Sequence, residues 1–148
     1  MKALVVRVNR AEVLVADEVF SSIEKGIALF VGIEKDDDDS LLENMAEKIV
    51  NLRIFENEEG KLDYSVKDKN YPILCISNFT LSAHTEKGRR PSFEKAMPKG
   101  EANKLFENFI LLLKARGIDI QTGAFGEHMD IRLDLDGPVN IILEMERH

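Results

Sequence analysis

Apolar residues run together or alternate over positions 2 to 8, 12 to 16, 26 to 33 and 73 to 76. The first two stretches are rich in Val and Leu, and the third, Gly-Ile-Ala-Leu-Phe-Val-Gly-Ile, is bounded by Gly; short runs of this kind predict strands. The period changes after Asp36: Leu41, Leu42, Met45, Ala46, Ile49 and Val50 recur at helical spacing behind Asp36 to Asp39 and Ser40, predicting a helix of about three turns with an acidic first turn. The four aspartates lack the Gly and terminal Glu of a calcium loop, which favours a helix start over a cation site. A second helix is expected from about Gly100 to Arg116, with Leu105, Phe106, Phe109, Leu112 and Leu113 inward and Gly117 closing it. Asn57 to Gly60 is turn chemistry, and residues 118 to 122, 128 to 135 and 138 to 144 alternate as three closing strands. The pattern is one α+β domain over residues 1–148, without repeats or low-complexity linkers.

Two polar segments interrupt runs that read as buried strands: Ser77-Asn78-Phe79-Thr80-Leu81 and Asp136-Gly137-Pro138-Val139-Asn140. Hydroxyls and an amide cost free energy inside a sheet unless they are hydrogen-bonded, and a Gly-Pro step removes a ladder donor. The expectation is that the two build one site; the alternative for the first is a strand end whose Ser and Thr cap backbone groups.

Composition narrows the chemistry. With 44% hydrophobic and 32% charged residues, and no apolar run near the roughly 20 residues that span a bilayer, the chain reads as globular with no membrane partner. Its start reads as a first strand and not as a signal peptide, and a single cysteine suits a reducing compartment, so a cytoplasmic location is expected. A net charge of −7 argues against gripping DNA by bulk electrostatics. Locally, however, residues 86 to 99 hold Lys87, Arg89, Arg90, Lys95 and Lys99 against Glu86 and Glu94. This is either a solvated loop and helix start or a phosphate-contact patch fit for an RNA end.

The three histidines, His84, His128 and His148, and the one Cys show no metal-ligand spacing, and no Gly-rich nucleotide cradle is present, so neither metal nor cofactor is expected. Cys75 lies within an apolar strand and reads as an inert buried thiol. His84 or His128 could act as a base beside Ser77 or Thr80, but sequence does not place them there. What remains is hydroxyls at Ser77, Thr80 and Ser82, the Asn78 amide, the Phe79 ring and a Gly-Pro step. Such groups bind and orient, and offer backbone donors to an oxyanion, but do not easily activate water alone.

Five strings occur in register: Asn51-Leu52-Arg53-Ile54-Phe55-Glu56, Ser77 to Leu81, Lys87-Gly88-Arg89-Arg90-Pro91-Ser92-Phe93, Thr122-Gly123-Ala124-Phe125-Gly126 and Gly137-Pro138-Val139. In them the chain resembles the D-aminoacyl-tRNA deacylases over nearly its whole length. The resemblance implies a homodimer of compact barrel-like subunits that hydrolyses the ester between a D-amino acid and the terminal adenosine of tRNA. It further implies a cis Gly137-Pro138 bond reaching into the partner's pocket, where main-chain carbonyls hold the substrate ammonium and the L side chain is excluded. Ser77, Phe79 and Thr80 would surround the ribose and scissile carbonyl, with backbone N–H groups at the oxyanion and the substrate's own 2′-OH helping to activate water. Asn78 and Met129 would line the substrate, and Lys87, Arg89 and Arg90 would meet tRNA. Arg7 would hold the Gly-Pro loop, with a surface Arg on an edge strand as the alternative.

Four positions depart from the family's usual residues: Asn78 for Gln, Glu127 for Ala, Leu135 for Asn and Asn140 for Thr. They could retune substrate choice, for instance toward achiral glycine. Two other readings follow: an RNA-end binding module that has lost turnover, and a small-molecule esterase using Ser77 or Thr80.

Overall fold

The computed structural model describes residues 1–147, so His148 lies outside the described residues. Its first strand, β1 (Lys2–Val15), runs through what reads as two, because exposed Asn9 and Arg10 mark a change of partner and not a turn. The second strand, β2 (Glu18–Ile23), has no counterpart in the sequence reading. The first half of β1 pairs antiparallel with β3 (Gly26–Gly32), from Lys2 with Gly32 to Val8 with Gly26. The second half pairs with β2, starting at Ala11 with Ile23.

The first helix, α1 (Asp39–Asn51), forms where its apolar stripe predicts. Asp38 caps it, its carboxylate accepting the Leu41 N–H at 2.9 Å. A small hairpin, β4 (Phe55–Glu56) with β5 (Leu62–Tyr64), leads into a single turn, α2 (Val66–Lys69), opened by a Ser65/Asp68 capping box. Then β6 (Ile73–Ser77) pairs parallel with β3, from Ile27 with Ile73 to Val31 with Ser77. The long helix α3 (Lys99–Ala115) follows, and β7 (Ile120–Thr122) pairs parallel with β6.

The last strand, β8 (Asp130–Glu144), lies antiparallel along β1 for nearly its whole length, so the two expected strands over 128–135 and 138–144 are one. The reading of the Gly-Pro run as a buried strand is also corrected: no position of β8 is fully buried. Among the described residues β8 has β1 on one side and no strand on the other, so its side chains alternate between half-buried and exposed.

The Ser21 hydroxyl donates to the Thr122 carbonyl at 2.7 Å, tying β2 to β7 and curling the six-stranded mixed sheet toward a closed barrel. Two cores result. Val5, Leu29 and Ile73 face Leu42, Met45, Ile49, Phe109 and Leu113 of the helices, while Val6, Val13, Ala28, Leu74 and Ile76 fill the barrel. Both faces of β3 and β6 are therefore covered, which is why they read as continuous apolar runs. The class is the expected α+β, with a nearly closed barrel-like sheet and helices packed outside it.

Candidate active site

At the end of β6 the apolar run gives way to Ser77, and the Asn78 N–H donates to the Val31 carbonyl at 2.7 Å, the last link to the sheet. A 3-10 turn, Phe79–Ser82, begins there, with the Leu81 N–H donating to the Asn78 carbonyl at 3.2 Å. The N–H groups of Phe79 and Thr80 form no hydrogen bond within the described residues, as expected for the first donors of a helical turn. They are two adjacent backbone donors available to an anionic oxygen. The Thr80 hydroxyl donates to the Asn78 side-chain carbonyl at 2.5 Å, so its proton is committed to the amide.

These residues form one wall of a cavity of about 720 Å³. The rest is largely apolar, with Phe30, Ile76, Met97, Phe125, Met129 and Ile131 lining it and Lys99, Glu127 and His128 contributing charge or polarity. Gly123 lets Met129 sit close: a Cβ there would stand 2.8 Å from its sulfur. Lys99 lies across Gly126, whose φ of +74° suits glycine. His128 is 92% exposed, 3.7 Å from the Asp130 carboxylate, and lines the same cavity. Phe30, Met97 and Phe125 were not singled out as site residues by sequence reasoning, and Lys99 was counted only in the basic patch; Phe30 stands beside Ile76 on the neighbouring strand, while contacts far apart in sequence bring the others to the end of β6.

Other candidates fall elsewhere. The Ser82 hydroxyl is fully buried, unpartnered and outside the cavity. Cys75 is buried, and burial pushes its thiol far above the ordinary range, so it carries no nucleophilic thiolate. His84 exchanges main-chain hydrogen bonds with Ser92 at 2.7 and 2.9 Å, closing a loop that exposes Lys87, Arg89 and Arg90. Among the described residues no group of three or more His, Cys, Asp or Glu is placed to hold a metal ion.

The Gly137–Pro138 bond is cis, and the pair is exposed. Between Val6 with Asn140 and Val8 with Leu135, the single residue Arg7 faces the four residues Asp136 to Val139, a pronounced bulge. Arg7 is buried, not a surface residue. Its Nε donates to the Asp136 carbonyl at 3.0 Å and one terminal nitrogen donates to the Ile54 carbonyl at 2.8 Å. It also lies 3.3 and 3.4 Å from the Asp136 and Glu56 carboxylates. Within the chain this loop does not line the cavity: Arg7 pairs with Ile27, whereas Ser77 pairs with Val31, roughly 13 Å further along β3. The two polar segments thus do not form one site inside a single chain.

The architecture is shared with solved structures. One described as c-Myc DNA Unwinding Element Binding Protein superposes with a TM-score of 0.93 at 43% identity, covering 99% of this chain and 100% of that one. Another, described as a probable eukaryotic D-amino acid tRNA deacylase, shares the fold at a TM-score of 0.85 and 17% identity, over 97% of this chain and 98% of its own. The class is that of the deacylases, hydrolases that act on aminoacyl-tRNA esters, as the family match and the relatives show. The model of D-Tyr-tRNA(Tyr) deacylase matches residues 4–144, and the chain belongs to that family. Similar relatives include the D-aminoacyl-tRNA deacylases of Thermodesulfovibrio yellowstonii (47% identical, 97% of this chain and 98% of the relative) and Thermotoga petrophila (42%, 99% of each).

Proposed function

We propose that this chain hydrolyses the ester of D-aminoacyl-tRNA, releasing the D-amino acid and tRNA. The observation that carries the reading is the wall of the cavity: Phe79 and Thr80, whose backbone N–H groups are unpaired among the described residues, line a largely apolar space large enough for an amino-acid side chain and a nucleoside. Water adds to the ester carbonyl, the oxyanion is held by these N–H groups, and the ribose oxygen leaves with a proton. Among the described residues no side-chain base is hydrogen-bonded to Ser77 or Thr80, so the substrate's own 2′-OH is the group proposed to help activate water.

The chiral filter is proposed to come from a second copy. In one subunit the braced Gly137–Pro138 loop is exposed and away from the cavity, as a group serving a partner's pocket would be. In a homodimer its carbonyls would hold the substrate ammonium, and the L side chain would collide with the same rigid loop. Glycine has no side chain to exclude, so glycyl-tRNA would be a further substrate.

The test is deacylation of matched D- and L-tyrosyl-tRNA, with glycyl-tRNA alongside. Loss of the D ester with the L ester intact supports the reading. Equal cleavage of D and L esters removes the chiral filter, and tRNA binding without cleavage makes the protein an RNA-end binding module.

A further inference from the structure

Phe79 and Phe93 are two of the few large apolar side chains left in solvent, 58% and 36% exposed, and neither belongs to a hydrophobic core. They meet edge to face, with ring centroids 5.1 Å apart and planes at 69°. Phe79 lines the cavity, and Phe93 directly follows the loop closed by His84 and Ser92. That loop carries Lys87, Arg89 and Arg90, none of which takes part in an ion pair among the described residues. Exposed rings at the cavity thus adjoin a loop of unpaired cations.

Aromatic faces flanked by free cations are the chemistry that holds single-stranded nucleic acid: bases stack on rings while cations meet phosphates. We infer that Phe93, with Phe79, is a stacking platform for the unpaired nucleotides preceding the terminal adenosine, and that Arg89 and Arg90 meet their phosphates. The inference rests on the deacylase reading for the terminal adenosine's place in the cavity. It adds a positioning residue, Phe93, that touches the RNA outside the reacting ester.

The chain contains no tryptophan, so Phe93→Trp creates a single fluorescent reporter at the platform. The trinucleotide CCA should quench its emission saturably, and a trinucleotide with abasic residues in place of the two cytidines should not. In parallel, Phe93→Ala should raise KM for D-tyrosyl-tRNA about five-fold or more beyond any change on D-tyrosyl-adenosine, which lacks those nucleotides. Absence of quenching at saturating RNA, or equal losses on both substrates, overturns the platform. Emission that responds to protein concentration and not to RNA also overturns it, making the rings a contact between copies. Quenching in an enzyme that cleaves neither ester keeps the platform and sinks the deacylase reading; cleavage without quenching does the reverse.

Discussion

Replacing Arg7 by Met keeps an unbranched stem of about the length that ends at Nε, while removing every donor that braces the Gly137–Pro138 loop. Two main-chain oxygens lose their partner, Asp136 O at 3.0 Å and Ile54 O at 2.8 Å, and Ile54 is buried. Hydrogen bonds from a charged donor are worth about 1.5–3 kcal/mol each, and Ile54 O is left without its partner. The Glu56 carboxylate is 52% exposed and counts for little, while Asp136, 27% exposed, keeps Lys25 at 3.7 Å. Methionine recovers part of the loss by packing in an apolar strand, so the net destabilisation is about 2–4 kcal/mol. At about 2–4 °C per kcal/mol for a chain of this size, Tm should fall by roughly 4–16 °C. Urea unfolding followed by circular dichroism measures the first figure. Arg7→Lys should recover less than half, since one ammonium does not reproduce the spread of a guanidinium across the Asp136 and Ile54 oxygens. Under the proposed filter, the surviving folded variant should also cleave L-tyrosyl-tRNA faster relative to the D ester. Unfolding free energies within about 0.5 kcal/mol of the parent, the range of an ordinary surface change, would refute the brace.

Two substitutions probe the cavity. Thr80→Ala removes a hydroxyl already bonded to Asn78 and should lower kcat/KM on D-tyrosyl-tRNA by less than about ten-fold; loss of about a thousand-fold or more would make Thr80 the nucleophile. Gly123→Ala places a Cβ 2.8 Å from the Met129 sulfur, a flexible tip that gives way within the cavity. Stability should change by less than about 1.5 kcal/mol while KM rises; a larger loss with KM unchanged would mean that the backbone yields instead.

Periodicity made α1, α3, β3 and β6 legible, because each is buried on faces that its own spacing reveals. It split β1 at Asn9 and Arg10, since a strand leaving β3 for β2 exposes side chains much as a turn does. It missed β2, where Val19 and Phe20 face solvent while Ser21 is buried, so residue type does not follow the alternation of burial. The wall Ser77 to Thr80 was visible as polarity at a strand end, whereas Lys99 and Phe125 reach the cavity only through contacts far apart in sequence. Arg7 could be read as surface or brace because its acceptors, on Ile54 and Asp136, lie 47 and 129 residues away.

The pairing of β1 with β8 joins Lys2 to Glu144 and Leu14 to Asp130. A nascent chain therefore carries one side of this strand unpaired until residues 130–144 have been made. Loop-closure entropy makes such a pairing slow, and an apolar strand left open in the meantime is a template for other chains. For this fold the period of greatest exposure to misassembly is synthesis itself, and it ends only when the segment bearing Gly137 and Pro138 docks onto Arg7.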